Sequence, residues 1–207
     1  MKKYLILLAA LLTISFSVNA ATSASGVIIS GTTFGTSNAF QFTNTSDASE
    51  NITKLVWDLS PINGFFDSIS GGTFGQNGSG LVLSGSSDSV GHTFPTNVSL
   101  DGTSLLTIDF TDFNAGKTFQ FGVDTDLFSA IDANGINGLG FIGALVTAYF
   151  SDNTVTHGFY TATLQSGFGS EVNITTPGVN AVPVPAALFM FAPALLGFFG
   201  LRRKVNG

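Results

Sequence analysis

Apolar and polar residues alternate in short runs through the middle of the chain, from Ala21 to about Ala181. In the run from 51 to 60, the alternation places Leu55, Trp57 and Leu59 on one face. A period of two is typical of a β-strand that buries one face, whereas an amphipathic helix repeats every ~3.6 residues. Glycine, serine and asparagine separate the runs, so the pattern predicts an all-β region.

The same pattern predicts about eight strands and one domain over 21–181. The strands fall in the runs 26–30, 38–43, 51–60, 80–84, 104–110, 117–124 and 143–164. The last run is predicted to be a hairpin that turns at Ser151–Asn153. In the run 117–124, Phe119 and Phe121 are predicted to face inward and Asp124 outward. Short, regularly spaced strands favour an antiparallel β-sandwich or jelly roll.

The N-terminal residues 1–20 have the three parts of a secretory signal peptide. Lys2 and Lys3 precede an apolar stretch, Tyr4–Leu12, which is short for a membrane span. Small residues then flank a polar one in Val18-Asn19-Ala20, so we predict cleavage between Ala20 and Ala21. The sequence therefore predicts that the protein is exported.

The C-terminal residues 182–207 contain a second apolar segment, followed by positive charge. Ala186–Leu201 has no charged or polar side chain, and as a helix it would extend ~24 Å. Arg202, Arg203 and Lys204 follow it directly and form a stop-transfer cluster under the positive-inside rule. We therefore predict a transmembrane helix that leaves the domain 21–181 outside the cytoplasm.

The residues in front of this helix complete a known pattern. Val182–Ala186 reads Val-Pro-Val-Pro-Ala, an extended element ahead of the helix and the basic cluster. This order resembles the PEP-CTERM class of bacterial sorting signals, in the variant Val-Pro-Leu-Pro-Ala. Pro183 and Pro185 match the motif prolines, and Val184 stands where the commonest form has glutamate. The resemblance covers 182–204.

The resemblance implies a processing partner and a destination. In this family an exosortase-type membrane protease processes the tail, and the protein is then released or moved to the cell surface. Family members often accompany exopolysaccharide and biofilm genes. The alternative is that the tail is a plain, permanent type I membrane anchor.

Composition narrows the class of partner. Between the two ends the chain carries thirteen acidic residues and only two basic ones, Lys54 and Lys117, which gives a charge of −11. Such a surface repels phosphate backbones and argues against nucleic-acid binding. The chain has no cysteine, so the exported domain has to be held together by its core rather than by disulfides. Sixteen of the twenty-one phenylalanines lie in 21–181 and can fill that core.

One acidic segment is a candidate calcium site. Asp124, Asp126, Asp132 and Asn134 offer oxygen ligands, and Gly135 allows a tight turn. Ca²⁺ prefers six to eight oxygen ligands, but the spacing does not match an EF-hand. The alternative is that these residues end strands and form turns. No other cofactor is predicted.

The sequence does not indicate an enzyme. The two histidines, His92 and His157, lie outside any catalytic motif, so we expect a non-catalytic surface or matrix protein. A carbohydrate-binding module, with or without a dependence on Ca²⁺, remains open, with exposed aromatic residues stacking on sugar rings. So does a glycosidase that uses paired carboxylates. The aromatic candidates are Trp57, Tyr149 and Tyr160, and the carboxylate pairs are Asp109 with Asp112 and Asp124 with Asp126.

Overall fold

The computed structural model describes residues 21–47, 49–131 and 134–176. The predicted signal peptide, the predicted sorting motif, the apolar run and the basic cluster lie outside the described residues. Within the described ranges, no helix combines the length and the apolar character that a membrane crossing requires.

The described residues are all-β with antiparallel sheets, and they form thirteen strands. The strands are β1 (Ser23–Ile29), β2 (Phe40–Asn44), β3 (Ile52–Asp58), β4 (Gly64–Phe66), β5 (Val82–Leu83), β6 (His92–Thr93), β7 (Leu105–Phe113), β8 (Thr118–Gly122), β9 (Thr125–Leu127), β10 (Leu145–Phe150), β11 (Val155–Phe159), β12 (Thr161–Ala162) and β13 (Phe168–Thr175). Helix in these ranges comprises α1 (Asn97–Leu100) and 3₁₀ turns at Ser60–Ile62 and Gly138–Phe141.

The strands assemble into two larger sheets and one small ribbon. The first sheet has the order β12-β13-β1-β2-β8-β5, and the second has the order β11-β10-β3-β7-β6. The ribbon pairs β4 with β9. The buried faces of both larger sheets contribute to one hydrophobic core, an arrangement consistent with a β-sandwich.

Aromatic side chains fill the space between the two sheets. Trp57 on the second sheet meets Phe40, Phe42 and Phe121 of the first sheet, with ring centroids 6.5, 5.8 and 5.2 Å away. Phe40 in turn stacks on Phe121 at 4.8 Å. Because edge-to-face and offset contacts add to the burial of large apolar surfaces, this cluster holds the sheets together without a disulfide.

The first and last described strands are neighbours. β1 pairs with β13 in antiparallel register from Ser23 opposite Thr175, and the hydroxyls of Thr22 and Thr176 lie 2.5 Å apart. The folded region therefore begins and ends at adjacent points of one sheet.

Several predicted strand faces are confirmed. Leu55, Trp57 and Leu59 are buried on one side of β3 and its end, and Phe119 and Phe121 are buried on β8. The predicted hairpin is also confirmed, since β10 and β11 pair around the turn that contains Ser151–Asn153. The prediction for Asp124 was wrong: its side chain faces inward and is fully buried.

The alternation missed β13, one of the longest strands. Its small residues Gly169 and Ser170 interrupt the apolar pattern, although both are buried. A Cβ at position 169 would lie 2.7 Å from the backbone of Gly138, because the 3₁₀ turn packs directly on this strand. Small residues therefore mark a close backbone approach here rather than a loop.

The centre of the core contains a testable hydrogen bond. The indole N–H of Trp57 donates to the hydroxyl of Tyr160 at 3.1 Å, and both residues are buried. Tyr160→Phe keeps the ring but leaves the indole donor unsatisfied, which we expect to lower the free energy of unfolding by about 1–3 kcal/mol. Urea denaturation checks this value. Tyr149→Phe, at a half-buried outer position, is the control and should stay within about 0.5 kcal/mol of wild type; equal losses would contradict the assignment.

Candidate metal centre

The small ribbon places three aspartates on one of its faces. Phe65 lies opposite Asp126 and Phe66 opposite Thr125, so the continued register puts Asp67 opposite Asp124. The backbone N–H of Asp67 donates to the carbonyl of Asp124 at 3.0 Å, which extends the pairing by one residue. Side chains two residues apart on a strand share a face, as do those directly opposite across it. Asp67, Asp124 and Asp126 therefore converge.

Their carboxylates are close together and inaccessible to solvent. One carboxylate oxygen from each residue lies within 4.8 Å of the other two. All three residues have an exposed fraction of 0%. The cluster offers oxygen ligands only, which suits a hard divalent cation such as Ca²⁺ or Mg²⁺.

Loops on either side of the ribbon close around the cluster. The N–H of Ser79 donates to the carbonyl of Asp67 at 3.0 Å, and the carbonyl of Ser79 accepts from Asp124 at 2.8 Å. On the other side, the N–H of Ile136 donates to the carbonyl of Thr125 at 2.8 Å, and the carbonyl of Ile136 accepts from Thr33 at 3.1 Å. The two strands of the ribbon and three further chain segments thus meet around the cluster.

Two glycines make this closure possible. A Cβ at Gly78 would lie 2.5 Å from Oδ1 of Asp67. Gly135 has a φ of +72°, and a Cβ there would lie 2.6 Å from Oδ1 of Asp124. A side chain at either position would displace a carboxylate, and at Gly135 it would also strain the backbone.

The surroundings of Asp124 disfavour its charged form. Burial raises the pKa of Asp124 to about 7, and the neighbouring charges of Asp126 and Asp67 act in the same direction. The N–H of Thr125 and the hydroxyl of Thr33 oppose this shift by donating to Oδ1, at 2.8 and 3.4 Å. Oδ2 is buried and accepts no hydrogen bond from the described residues.

Positive charge in the described ranges lies elsewhere. Lys54 pairs with Asp109 at 3.6 Å and Lys117 with Asp112 at 3.5 Å. Nδ1 of His92 contacts the carbonyl of Val90 at 2.9 Å. The carboxylate pair Asp109 and Asp112 is thus divided between two lysines on the surface, apart from the buried cluster.

The structure brings together only part of the predicted calcium site. Asp124 and Asp126 are in the cluster, and Asp132 lies outside the described residues. Asn134 is exposed, and its backbone carbonyl accepts a hydrogen bond from the hydroxyl of Thr32. The sequence reasoning missed Asp67, which is 57 positions before Asp124; the available signal was an aspartate directly after the apolar Phe65-Phe66 pair and ahead of a glycine-rich loop.

The aromatic residues predicted to stack on sugars are mostly in the core. Trp57 and Tyr160 are 1% and 2% exposed, so neither can contact a glycan in this structure. Tyr149 is half-buried on the outer face of the second sheet, with the ammonium of Lys54 5.4 Å from its ring centroid. Asp124 and Asp126, the second predicted glycosidase pair, are out of reach of a polysaccharide chain because both are fully buried.

A polar groove crosses the outer face of the first sheet instead. Its volume is about 450 Å³, and its lining includes Ser25, Gln41, Thr43, Thr118, Gln120 and Phe168. Gln41 lies opposite Gln120, and the hydroxyls of Thr43 and Thr118 are 2.9 Å apart. Amide and hydroxyl groups of this kind can both donate and accept hydrogen bonds.

Comparison with known proteins finds no relative for this chain: no family model matches it, and no curated protein or solved structure shows significant similarity to it.

The raised pKa of Asp124 predicts how stability depends on pH when no metal is present. The folded-state value of about 7 lies above the ordinary value of 3.8, so the stability that protonation contributes is complete below pH ~4 and is lost as the pH rises through ~7. In chelating buffer, Asp124→Asn should melt several degrees above wild type at pH 8, with a smaller difference at pH 5.

Asparagine keeps a carbonyl oxygen for the N–H of Thr125, so this substitution removes the charge and not the backbone contact. Thermal melts at the two pH values provide the measurement. Asp109→Asn, at an exposed ion pair, is the control and should show no such pH-dependent gain. A variant that melts below wild type at pH 8 would contradict the prediction.

Proposed function

We propose that this chain is an exported, non-catalytic protein of the cell surface or extracellular matrix, linked to exopolysaccharide or biofilm. In this proposal the signal peptide 1–20 directs export. The tail then holds the protein in the membrane through a helix over Ala186–Leu201. An exosortase-type enzyme finally processes the tail at or near the Val182–Ala186 motif.

The observation that carries the proposal is the order of signals at the two ends of the chain. A cleavable leader stands at the start, and a proline motif, an apolar run and a basic cluster stand at the end. The extent of the folded region agrees with this order. β1 begins three residues after the predicted cleavage site, and the described region ends at Thr176, six residues before Val182 begins the motif.

The contacts of the titratable side chains support a non-catalytic role. The His92 ring packs between Phe94 and Phe119, with ring centroids 4.6 and 5.0 Å away. His157 lies on β11 with its ring 6.3 Å from that of Phe159. These are packing contacts, and the polar contact of the His92 ring is to the backbone carbonyl of Val90 rather than to a carboxylate that orients a general base.

The processing step is tested by the intact mass of the protein in membrane, surface and medium fractions of its native host. We expect the surface or medium form to begin at Ala21 and end near Val182–Ala186. Pro183→Ala with Pro185→Ala should block processing and leave full-length tails in the membrane. Pro177→Ala, a proline outside the motif, is the matched control and should be processed normally. A wild-type chain that still ends at Gly207, and only in membranes, would make the tail a plain anchor.

Carbohydrate binding is the second candidate function, and the polar groove on the first sheet favours it. Side chains on neighbouring strands line the groove in register, so they form a fixed row of donors and acceptors. Gln120 is held in place, since its amide donates to the carbonyl of Ser86 at 3.2 Å and its oxygen accepts from the Ser86 hydroxyl at 3.1 Å. Phe168 adds an apolar wall of the kind that sugar rings pack against.

Glycan binding is tested with the full-length protein in detergent on an array of neutral and acidic polysaccharides. We expect binding that Gln41→Ala weakens about tenfold, because the loss of one hydrogen-bonding group at a desolvated site costs roughly 1–2 kcal/mol. Thr147→Ala, on the outer face of the second sheet, should bind like wild type. Equal binding by both variants would exclude the groove, and no binding to any glycan would leave the structural role.

A further inference from the structure

We propose that Asp67, Asp124 and Asp126 bind one Ca²⁺ ion, which ties together the two strands of the β4–β9 ribbon and the three segments that meet there. This site differs from the sequence prediction, because Asp67 joins from another segment and Asn134 lies exposed. The inference rests on described residues alone and does not depend on export or on tail processing.

Charge is the first argument for an ion. Three carboxylates are buried on one face of a ribbon, and two of them lie directly opposite each other, where like charges are destabilising. The lysines of the described ranges pair with Asp109 and Asp112 instead. A divalent cation would offset most of the negative charge and stabilise the ionised carboxylates.

The unsatisfied oxygen of Asp124 is the second, independent argument. Asp124 is fully buried and its Oδ1 accepts from Thr125 and Thr33, which fixes the orientation of the carboxylate. Its Oδ2 accepts no hydrogen bond from the described residues. Buried polar atoms almost always have a partner, so an oxygen without a donor on one of three clustered carboxylates points to an absent ligand.

The ligand chemistry favours Ca²⁺ over smaller ions. Ca²⁺ bonds oxygen at about 2.3–2.6 Å, and carboxylate oxygens that lie within 4.8 Å of one another can contact one such ion. Ca²⁺ also accepts irregular coordination by protein oxygens, whereas Mg²⁺ demands near-ideal octahedral geometry and usually keeps several waters. The three carboxylates supply up to six of the six to eight oxygens that Ca²⁺ takes. Without histidine or cysteine, the ligand set does not suit Zn²⁺.

Ion binding would stiffen the β4–β9 ribbon and the loops that pack around it. Only a few hydrogen bonds join the ribbon to the Ser79, Thr33 and Ile136 segments here. An ion that holds the carboxylates of β4 and β9 stabilises all of these contacts together. Because an ion that binds only the folded state raises stability with its concentration, the effect can be measured.

The test uses the full-length protein in detergent, stripped with chelator and then titrated with Ca²⁺ alone. We expect one Ca²⁺ per chain by calorimetry and native mass spectrometry, and a rise in melting temperature of several degrees at millimolar Ca²⁺. Asp67→Asn and Asp126→Asn should each weaken Ca²⁺ binding at least about tenfold. Asp109→Asn, at an exposed ion pair, is the control and should bind Ca²⁺ like wild type.

Two measurements separate a binding site from a purely structural cluster. Without metal, each cluster variant should melt at or above wild type because it carries one less buried charge, and with Ca²⁺ it should gain less. A variant that melts lower in both buffers would indicate hydrogen bonding and not ion binding. Titration with Mg²⁺ or Zn²⁺ tests selectivity, and a preference for either would overturn the assignment, as would a wild type that shows neither heat nor a melting shift with Ca²⁺.

Discussion

The packing of aromatic rings between two antiparallel sheets is the interaction on which the rest of the structure depends. Trp57 reaches from the second sheet to Phe40, Phe42 and Phe121 of the first. The chain has no cysteine, so burial of this apolar surface has to offset the conformational entropy of folding. Once the sheets are fixed, the ends of their strands determine which loops lie together.

The β4–β9 ribbon shows how strand pairing brings chemically active side chains together. Strand pairing sets a register, and the register puts Asp67 opposite Asp124, with Asp126 on the same face. Backbone hydrogen bonds to Ser79 and from Ile136 then draw two loops over the carboxylates, and glycines at 78 and 135 leave room for them. A concentration of buried negative charge on this scale is unfavourable by itself, so the site is best understood together with a cation.

The proposed export and surface display of the protein are compatible with its candidate sites. An exported domain that is anchored or displayed by its tail needs a core that is stable without disulfides. A bound ion would add stability at the β4–β9 ribbon and the loops around it. The polar groove lies on the outer face of the first sheet, whereas the acidic cluster lies among loops and is buried. The proposed glycan binding and the proposed ion binding therefore involve different parts of the domain, and each can be tested without the other.

The sequence by itself determined the all-β class and the inward faces of the best strands, because a period of two in residues such as Leu55 and Trp57 directly reflects burial of one face. It also located the hairpin at 143–164, where two β-rich runs flank a short polar turn. The sequence pattern failed to predict β13, where the small residue Gly169 packs directly against the backbone of Gly138. A contact of this kind leaves no alternation of apolar and polar residues.

Only the tertiary structure decided the candidate site. Aspartate is usually exposed, so the strand pattern predicted that the side chain of Asp124 faces outward. No residue near Asp124 in the sequence indicated that Asp67 would lie beside it. Their meeting depends on the pairing of β4 with β9, which joins segments about sixty residues apart, and pairing of that kind is set by the whole sheet arrangement. For the same reason Trp57 and Tyr160 proved to be core residues joined by a hydrogen bond: a strand pattern gives the side of a residue but not what covers it.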